Sequence, residues 1–313
     1  MRSFFVFLAL FLAAPVLLAQ NASSPPQPEQ KAILVTGASS GIGRKITERL
    51  AARGHFVYAG ARKEEDLKAL ASIRNVQPVR LDVTSQADID AAVATITKAG
   101  RGLYGLVNNA GIGTLGLLTT MSPEEFDLTM AVNVRGPYAV TRAFAPLIVA
   151  QKGRIATTGS ISGILSSRGN GAYSMSKHAV EAFVDALAAD MESPGVRVSI
   201  VEPGNYNSEI AKNAIERVGM GEVERMGASA ALADRSRYKE PDEVADAFVH
   251  ALFDANPKRR YMVVPNEREA EVTIRKQIEE LVQLNEGHAY TYDRDTLVKM
   301  LDEAMAGARP RVE

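Results

Sequence analysis

The sequence predicts an α/β domain built on a doubly wound parallel sheet, and three observations carry that prediction. Short β-branched apolar runs alternate with longer stretches of helical period from Lys31 onward. The first run leads directly into a glycine-rich turn, Gly37-Ala38-Ser39-Ser40-Gly41-Ile42-Gly43. A phenol and an ammonium stand four residues apart in Tyr173-Ser174-Met175-Ser176-Lys177, the spacing that puts both on one face of a helix.

In chain order, the first element is an uncharged apolar run from Phe4 to Ala19, preceded by Arg2 and followed by the Pro-rich Gln20-Asn21-Ala22-Ser23-Ser24-Pro25-Pro26-Gln27-Pro28. It reads as a signal peptide or membrane anchor over residues 1–19, meeting a membrane or the export machinery, with a linker over 20–30. Sixteen residues of helix span about 24 Å, short of a hydrocarbon core of about 30 Å, which favours a signal over a robust anchor. Arg2 keeps the N-terminus inside and sends the rest across, so the expected location is exported or membrane-anchored. A buried first helix is the alternative reading.

Strands are then expected at Ala32–Thr36, His55–Gly60, Gln77–Leu81, Gly105–Asn108, Arg154–Thr158, Val196–Val201 and Tyr261–Val264, with helices in most intervals. A sheet of this kind opens its ligand crevice at the carboxyl ends of its strands. One helix should begin at Pro241, where proline loses no needed donor and Asp242 and Glu243 face the positive helix end. Residues 31–265 thus form one catalytic domain and 266–313 a helical extension. In that extension Ile274, Ile278, Leu281 and Val282, then Leu297, Leu301, Ala304 and Met305, recur at helical spacing. These stripes either pack on their own domain or serve as a subunit contact in a homo-oligomer or as a substrate lid.

Composition narrows the function. The 313 residues are 46 % hydrophobic and 23 % charged, as expected of a folded globular chain. The 36 basic and 37 acidic side chains are well mixed and sum to −1, leaving no basic stripe for nucleic acid. With no cysteine and four scattered histidines, thiolate catalysis is excluded and no metal site is expected.

The glycine turn is a phosphate cradle: glycine lets backbone approach a pyrophosphate, and a helix starting near Ile42 offers unpaired N–H groups. Its spacing, Gly-x-x-x-Gly-x-Gly, departs from the general dinucleotide fingerprint, but its place after a buried strand supports a Rossmann-type site. At the end of the second strand an acidic residue would bind a free ribose hydroxyl. Here Ala61 and Arg62 stand there, and a guanidinium suits a 2′-phosphate, so NADP(H) is favoured over NAD(H). Ser40 adds a hydroxyl within reach of the same phosphate.

A free tyrosine titrates near pH ~10, so bringing Tyr173 toward neutrality takes roughly 4 kcal/mol of preference for the phenolate. Lys177 supplies one nearby positive charge. Thr36-Gly37, Gly41-Ile42-Gly43, Asn108-Asn109-Ala110-Gly111, Asn133, Ser160, Tyr173 with Lys177, and Pro203-Gly204 occur in one order, and with it the chain resembles the short-chain dehydrogenases/reductases from about Ala32 to Val264. The resemblance implies a catalytic set of Asn133, Ser160, Tyr173 and Lys177. It implies that Ser160 polarises the substrate oxygen and Asn133 supports a water-linked proton route to the lysine. It also assigns the cofactor to Gly37, Ser39, Ser40, Gly41, Ile42, Gly43, Arg62, Asp82, Val83, Asn109, Ala110, Gly111, Tyr173, Lys177, Pro203, Gly204 and Ser208. Asn109-Ala110-Gly111 would line the adenosine side and Asp82-Val83 frame the adenine, although Asp82 also suits a helix N-cap.

Ser208 stands where the family has threonine and keeps the hydroxyl. His178 is expected to pack within its helix. The implied reaction passes hydride between NADP(H) and a small-molecule carbonyl or alcohol, with Tyr173 as acid/base. Thr157-Thr158-Gly159-Ser160 and Glu202-Pro203-Gly204 are similar to hydroxysteroid and retinol dehydrogenases, pointing to a lipophilic substrate. The competing readings are a catalytically silent NADPH-binding protein, a scaffold and a sugar-nucleotide epimerase.

Overall fold

The computed structural model describes residues 30–225, 227, 234 and 237–308. The expected signal or anchor, and all of the expected linker except Gln30, lie outside the described residues. Among the described residues no helix is long and apolar enough to cross a membrane.

Seven strands form one parallel sheet: β1 (Ala32–Val35), β2 (Phe56–Ala61), β3 (Val76–Arg80), β4 (Gly105–Asn108), β5 (Arg154–Thr158), β6 (Arg197–Pro203) and β7 (Arg260–Val263). The order is β3-β2-β1-β4-β5-β6-β7. The bounds of β4 and β5 are those expected, and the others differ by one or two residues at an end. Thr36 leaves β1 because the chain turns at once into Gly37, whose φ of +63° favours a residue without Cβ. Pro203 extends β6 because it still pairs with Val263.

Alternate residues on each strand bury toward opposite layers, which is why the strands read as continuous apolar runs. Leu34, Leu106, Ile155 and Ile200 join the core beneath α3 (Gln86–Ala99), α5 (Gly136–Ala150) and α6 (Gly171–Asp190). Ile33, Val35, Val107, Ala156 and Val201 join the core beneath α1 (Gly41–Ala52), α2 (Glu64–Ala71) and α9 (Asp242–Phe253). Pro241 stands at the N-cap of α9, with Asp242 and Glu243 in its first turn, as the sequence predicts.

The chain winds outward from β1 to β3, then crosses back to β4 on the other side of β1. This reversal opens a crevice beyond the carboxyl ends of β1 and β4. The segment that leaves β4 meets α4 (Pro123–Met130), α7 (Ile210–Val218) and α8 (Met220–Arg225) at the crevice mouth: the Thr114 hydroxyl donates to Glu125, and a Cβ on Gly113 or Gly116 would lie 3.0 Å from Ile210 Cγ1 or 3.7 Å from Glu222 Oε1.

Two expectations are corrected. The C-terminal stripes do not pack on the domain: α10 (Glu267–Leu284) buries only Thr273, and α11 (Arg294–Ala308) buries none of its residues. Ile274, Ile278, Leu281, Val282, Leu301 and Met305 face outward, because both faces of the sheet are already covered by the six helices above. His178 is also exposed and does not pack; one residue beyond Lys177 on α6, it points about 100° away, and its Nδ1 lies 2.8 Å from Ser174 O.

Candidate active site

The crevice floor begins where β1 and β4 end. The Thr36 hydroxyl accepts hydrogen bonds from the N–H groups of Asn109 and Ala110, both at 3.0 Å, and staples the two strand ends together. The Asn109 amide donates to Thr36 O and Gly37 O at 3.1 Å each, and its Oδ1 accepts from Thr158 Oγ1 at 3.2 Å. Asn109 therefore shapes the glycine turn from behind, leaving backbone to line the crevice at Ala110 and Gly111.

A Cβ on Gly43 would lie 2.1 Å from Gly37 O and 2.3 Å from Asn109 Nδ2, so only glycine closes this turn. Ile42 and the half-buried Ser39 belong to the same turn, and the exposed Ser40 takes the N-cap position of α1 without a side-chain cap bond. The turn thus offers close backbone, helix N–H groups and a free-standing hydroxyl, which fits the pyrophosphate of a dinucleotide.

At the far end of the crevice, Arg62 follows β2 with its guanidinium largely exposed and Nη1 3.5 Å from Asp82 Oδ2. Asp82 accepts from Thr84 N and Thr84 Oγ1 at 2.9 and 2.6 Å. Burial works against its charge, but the Thr84 bonds and Arg62 prevail and hold the carboxyl below its usual range. Ser85, not Asp82, caps α3, accepting from Asp88 N at 3.2 Å. Val83 is buried, and a Cβ on Gly136 would come within 2.8 Å of its Cγ2.

The side chains expected to take part in the reaction come from three elements. Tyr173 and Lys177 lie one turn apart on α6, with Lys177 Nζ 5.7 Å from the Tyr173 ring centre. Lys177 is buried and donates to Thr158 O at 2.8 Å. Burial lowers its pKa to about 8, against the opposing pull of the Glu181 carboxylate. Asn133 sits in a π-helical turn spanning Ala131–Arg135, between α4 and α5. Its Oδ1 accepts from Ile112 N at 2.8 Å, and its Nδ2 donates to Ile112 O at 2.9 Å and Ser176 Oγ at 3.0 Å. Gly111 lies between them: a Cβ there would be 3.4 Å from Asn133 Oδ1 and 3.9 Å from Lys177 Nζ. Ser160, nearly buried at the end of β5, opens a short 3₁₀ turn and accepts from Ser162 N at 3.0 Å.

The turn after β6 completes the wall. Gly204 N donates to Val263 O at 2.8 Å, and Asn205 N donates to Glu269 Oε2 at 2.8 Å. Ser208 faces the glycine turn, its Cβ 3.4 Å from where a Cβ on Gly41 would stand. The structure thus groups Asn133, Tyr173, Lys177 and Gly111 around one end of the crevice, with Ser160 on the neighbouring strand end. It sets the glycine turn opposite Ser208, and Arg62 with Asp82 at the other end.

Sequence reasoning missed several supports. Thr36 was signalled only by its place before Gly37. Ser176, which donates to Tyr173 O at 2.7 Å and accepts from Asn133, had no signal beyond lying on the Tyr173 helix. Glu269 and the pair of Arg217 on α7 with Glu125 on α4, joined by two bonds of 2.9 Å, depend on long-range folding.

Comparison with known proteins agrees with this geometry. A family model described as short chain dehydrogenase matches residues 31–219. The oxidoreductase YbbO of Escherichia coli is 35 % identical over 236 residues, covering 75 % of this chain and 86 % of the relative. The 3beta-hydroxysteroid dehydrogenase dhs-16 of Caenorhabditis elegans is 31 % identical over 265 residues, covering 74 % and 68 %. The crystal structure of a short chain dehydrogenase/reductase from Burkholderia phymatum in complex with NAD superposes with a TM-score of 0.71 at 26 % identity, over 84 % of this chain and 99 % of that one. With its sheet order, glycine turn and Tyr173–Lys177 helix, the chain belongs to the short-chain dehydrogenase family, oxidoreductases that pass hydride between a nicotinamide cofactor and a hydroxyl or carbonyl group.

Proposed function

We propose that the chain reduces a lipophilic aldehyde or ketone with NADPH, within a catalytic unit of residues 31–265. The observation that carries this reading is the grouping of Tyr173 and the buried Lys177 at the crevice end, with Ser160 on the adjoining strand end. When bound, the reduced nicotinamide supplies the hydride. Ser160 donates to the substrate oxygen and holds the charge that develops on it, and Tyr173 gives that oxygen its proton. Lys177 holds the nicotinamide ribose and keeps positive charge beside the phenol. Asn133, fixed on both sides of its amide, holds the Ile112 backbone next to Lys177 and orients the water route that refills the proton. Alcohol oxidation is the same path reversed.

The phosphate preference rests on Arg62, which takes the place of a ribose-binding acid and stands exposed at the end of β2. The lipophilic preference rests on the crevice mouth. Leu118 is 56 % exposed, yet a Cβ on Gly171, two residues before Tyr173, would meet its Cγ at 2.6 Å. An apolar side chain thus waits beside the reacting end.

NADPH absorbance with decanal, retinal, a 3-ketosteroid and acetoacetate tests the assignment. Turnover of the first three above acetoacetate supports it. Absence of turnover with intact NADPH binding would favour the silent binding protein. We further propose that residues 1–19 export the chain or hold it at a membrane, on the strength of their uninterrupted apolar run. Full-length protein should then fractionate with membranes or beyond them. A soluble cytoplasmic protein retaining Met1–Ala19 by N-terminal sequencing would refute this.

A further inference from the structure

Behind the proposed reacting groups lies a buried acidic cluster that the reaction itself does not use. Glu181 follows Lys177 by one turn of α6, and Glu202 is the β6 residue just before Pro203. Their side chains are only 15 % and 3 % exposed. Among the described residues a single guanidinium faces both: Arg260 Nε stands 3.2 Å from Glu181 Oε2 and 3.7 Å from Glu202 Oε1. Its Nη2 is drawn away to Asp185, at 2.6 Å. The charged groups facing the pair are therefore Lys177 and Asp185 from α6, and Arg260 from β7 with Arg259 behind Asp185. Among the described residues, neither Glu181 Oε1 nor Glu202 Oε1 has a hydrogen-bond partner. Two carboxylates in this space would repel each other with half a guanidinium apiece to offset the cost.

The cluster also touches the proposed catalytic segments. A Cβ on Gly159 or Gly163 would lie 3.2 or 2.9 Å from Glu181 Oε1, so this carboxyl packs beneath the turn that carries Ser160. Glu202 leads directly into the Pro203-Gly204 turn.

We propose that Glu181 and Glu202 share one proton, carried by Glu202, and that the Glu181 carboxylate is a positioning residue that holds Lys177 charged and braces the Ser160 turn. The inference deepens the reading above and rests on it. The asymmetry follows from geometry: Glu181 is nearer Arg260 and more exposed, so it is the member that ionises. Consistently, burial and then the Glu181 charge push the Glu202 carboxyl up to about 8.

Two measurements test this. The first is the pH profile of NADPH-dependent reduction of decanal, or of the best substrate in the panel above. Removing a negative charge makes every neighbouring proton easier to lose. In a Glu202→Gln background, where Glu202 cannot ionise in its place, Glu181→Gln should therefore move the alkaline limb to lower pH by about half a unit or more, with Glu181→Asp restoring it. Below pH 8 Glu202→Gln should leave the limb where it is, since glutamine mimics the protonated acid. A limb that moves with Glu202→Gln and not with Glu181→Gln, or with neither, overturns the proposal.

The second needs no turnover and stands if Glu181→Gln fails to fold. Glu202 keeps its proton in the folded state to about pH 8 but loses it near 4.5 when unfolded, so the parent protein loses stability as pH rises between those values. Glu202→Gln lacks that loss, and its Tm relative to the parent should climb from pH 5 to pH 8. A constant difference would show that no proton is held, whatever the fate of the carbonyl-reductase reading. That reading fails separately if Tyr173→Phe remains active.

Discussion

Lys177 combines a buried ammonium, a single backbone acceptor at Thr158 O, and a position one turn from Tyr173. Its pKa falls from 10.5 to about 8, so folding opposes the charge that the proposed chemistry requires. The folded protein holds fewer protons here than the unfolded chain between pH 8 and 10.5, and it gains stability as pH rises through that window. Relative to Lys177→Met, which cannot titrate, the parent should gain about 3 kcal/mol across it. Chemical denaturation at stepped pH measures the gain, and a flat difference would mean that Lys177 is not desolvated. Arg62 makes a separate prediction. Arg62→Asp places a carboxylate where a 2′-phosphate would sit, so NADPH affinity should fall at least about tenfold more than NADH affinity. Equal losses in a binding titration would return Arg62 to the role of a surface partner for Asp82. Both residues could be singled out from sequence, Lys177 by its spacing from Tyr173 and Arg62 by its place after a strand. Glu181 and Glu202 could not, because their burial and their common Arg260 exist only once α6, β6 and β7 have packed.

At the scale of elements, legibility followed local chemistry. β4 and β5 came out with the expected bounds because each is followed at once by residues that leave the strand, Asn109 and Gly159-Ser160. The start of α9 was readable from Pro241 and the acids after it. The π-helical turn that presents Asn133 was not, since nothing in Ala131-Val132-Asn133-Val134-Arg135 departs from an ordinary helix. The C-terminal helices show the limit of periodicity: an apolar stripe tells that a helix has one greasy face, not what covers it. Because α11 buries none of its residues, a chain ending at Leu284 should keep its Tm within about 2 °C and its NADPH affinity unchanged. A large loss of stability in thermal melts would show that α11 supports the domain after all.

Over the whole molecule, function follows from where the strand order reverses. Six helices cover the sheet and leave the carboxyl ends of its strands free, and most of the proposed site segments begin within a residue or two of such an end. Gly37 follows β1, Arg62 β2, Asp82 β3, Asn109 β4, Ser160 β5 and Gly204 β6. This is why the crevice was legible from the motif order, while the wall formed by α7 and α8 was not: side chains there answer to a substrate, and no motif constrains them. The central claim is that Tyr173 passes the proton within an otherwise intact cofactor site. Its most direct test is Tyr173→Phe, assayed for both NADPH binding by fluorescence titration and carbonyl reduction by NADPH absorbance. The change removes one hydroxyl and leaves the ring and Lys177 in place. The account predicts an NADPH Kd within about twofold of the parent and a turnover lower by about 100-fold or more; near-normal turnover would contradict it.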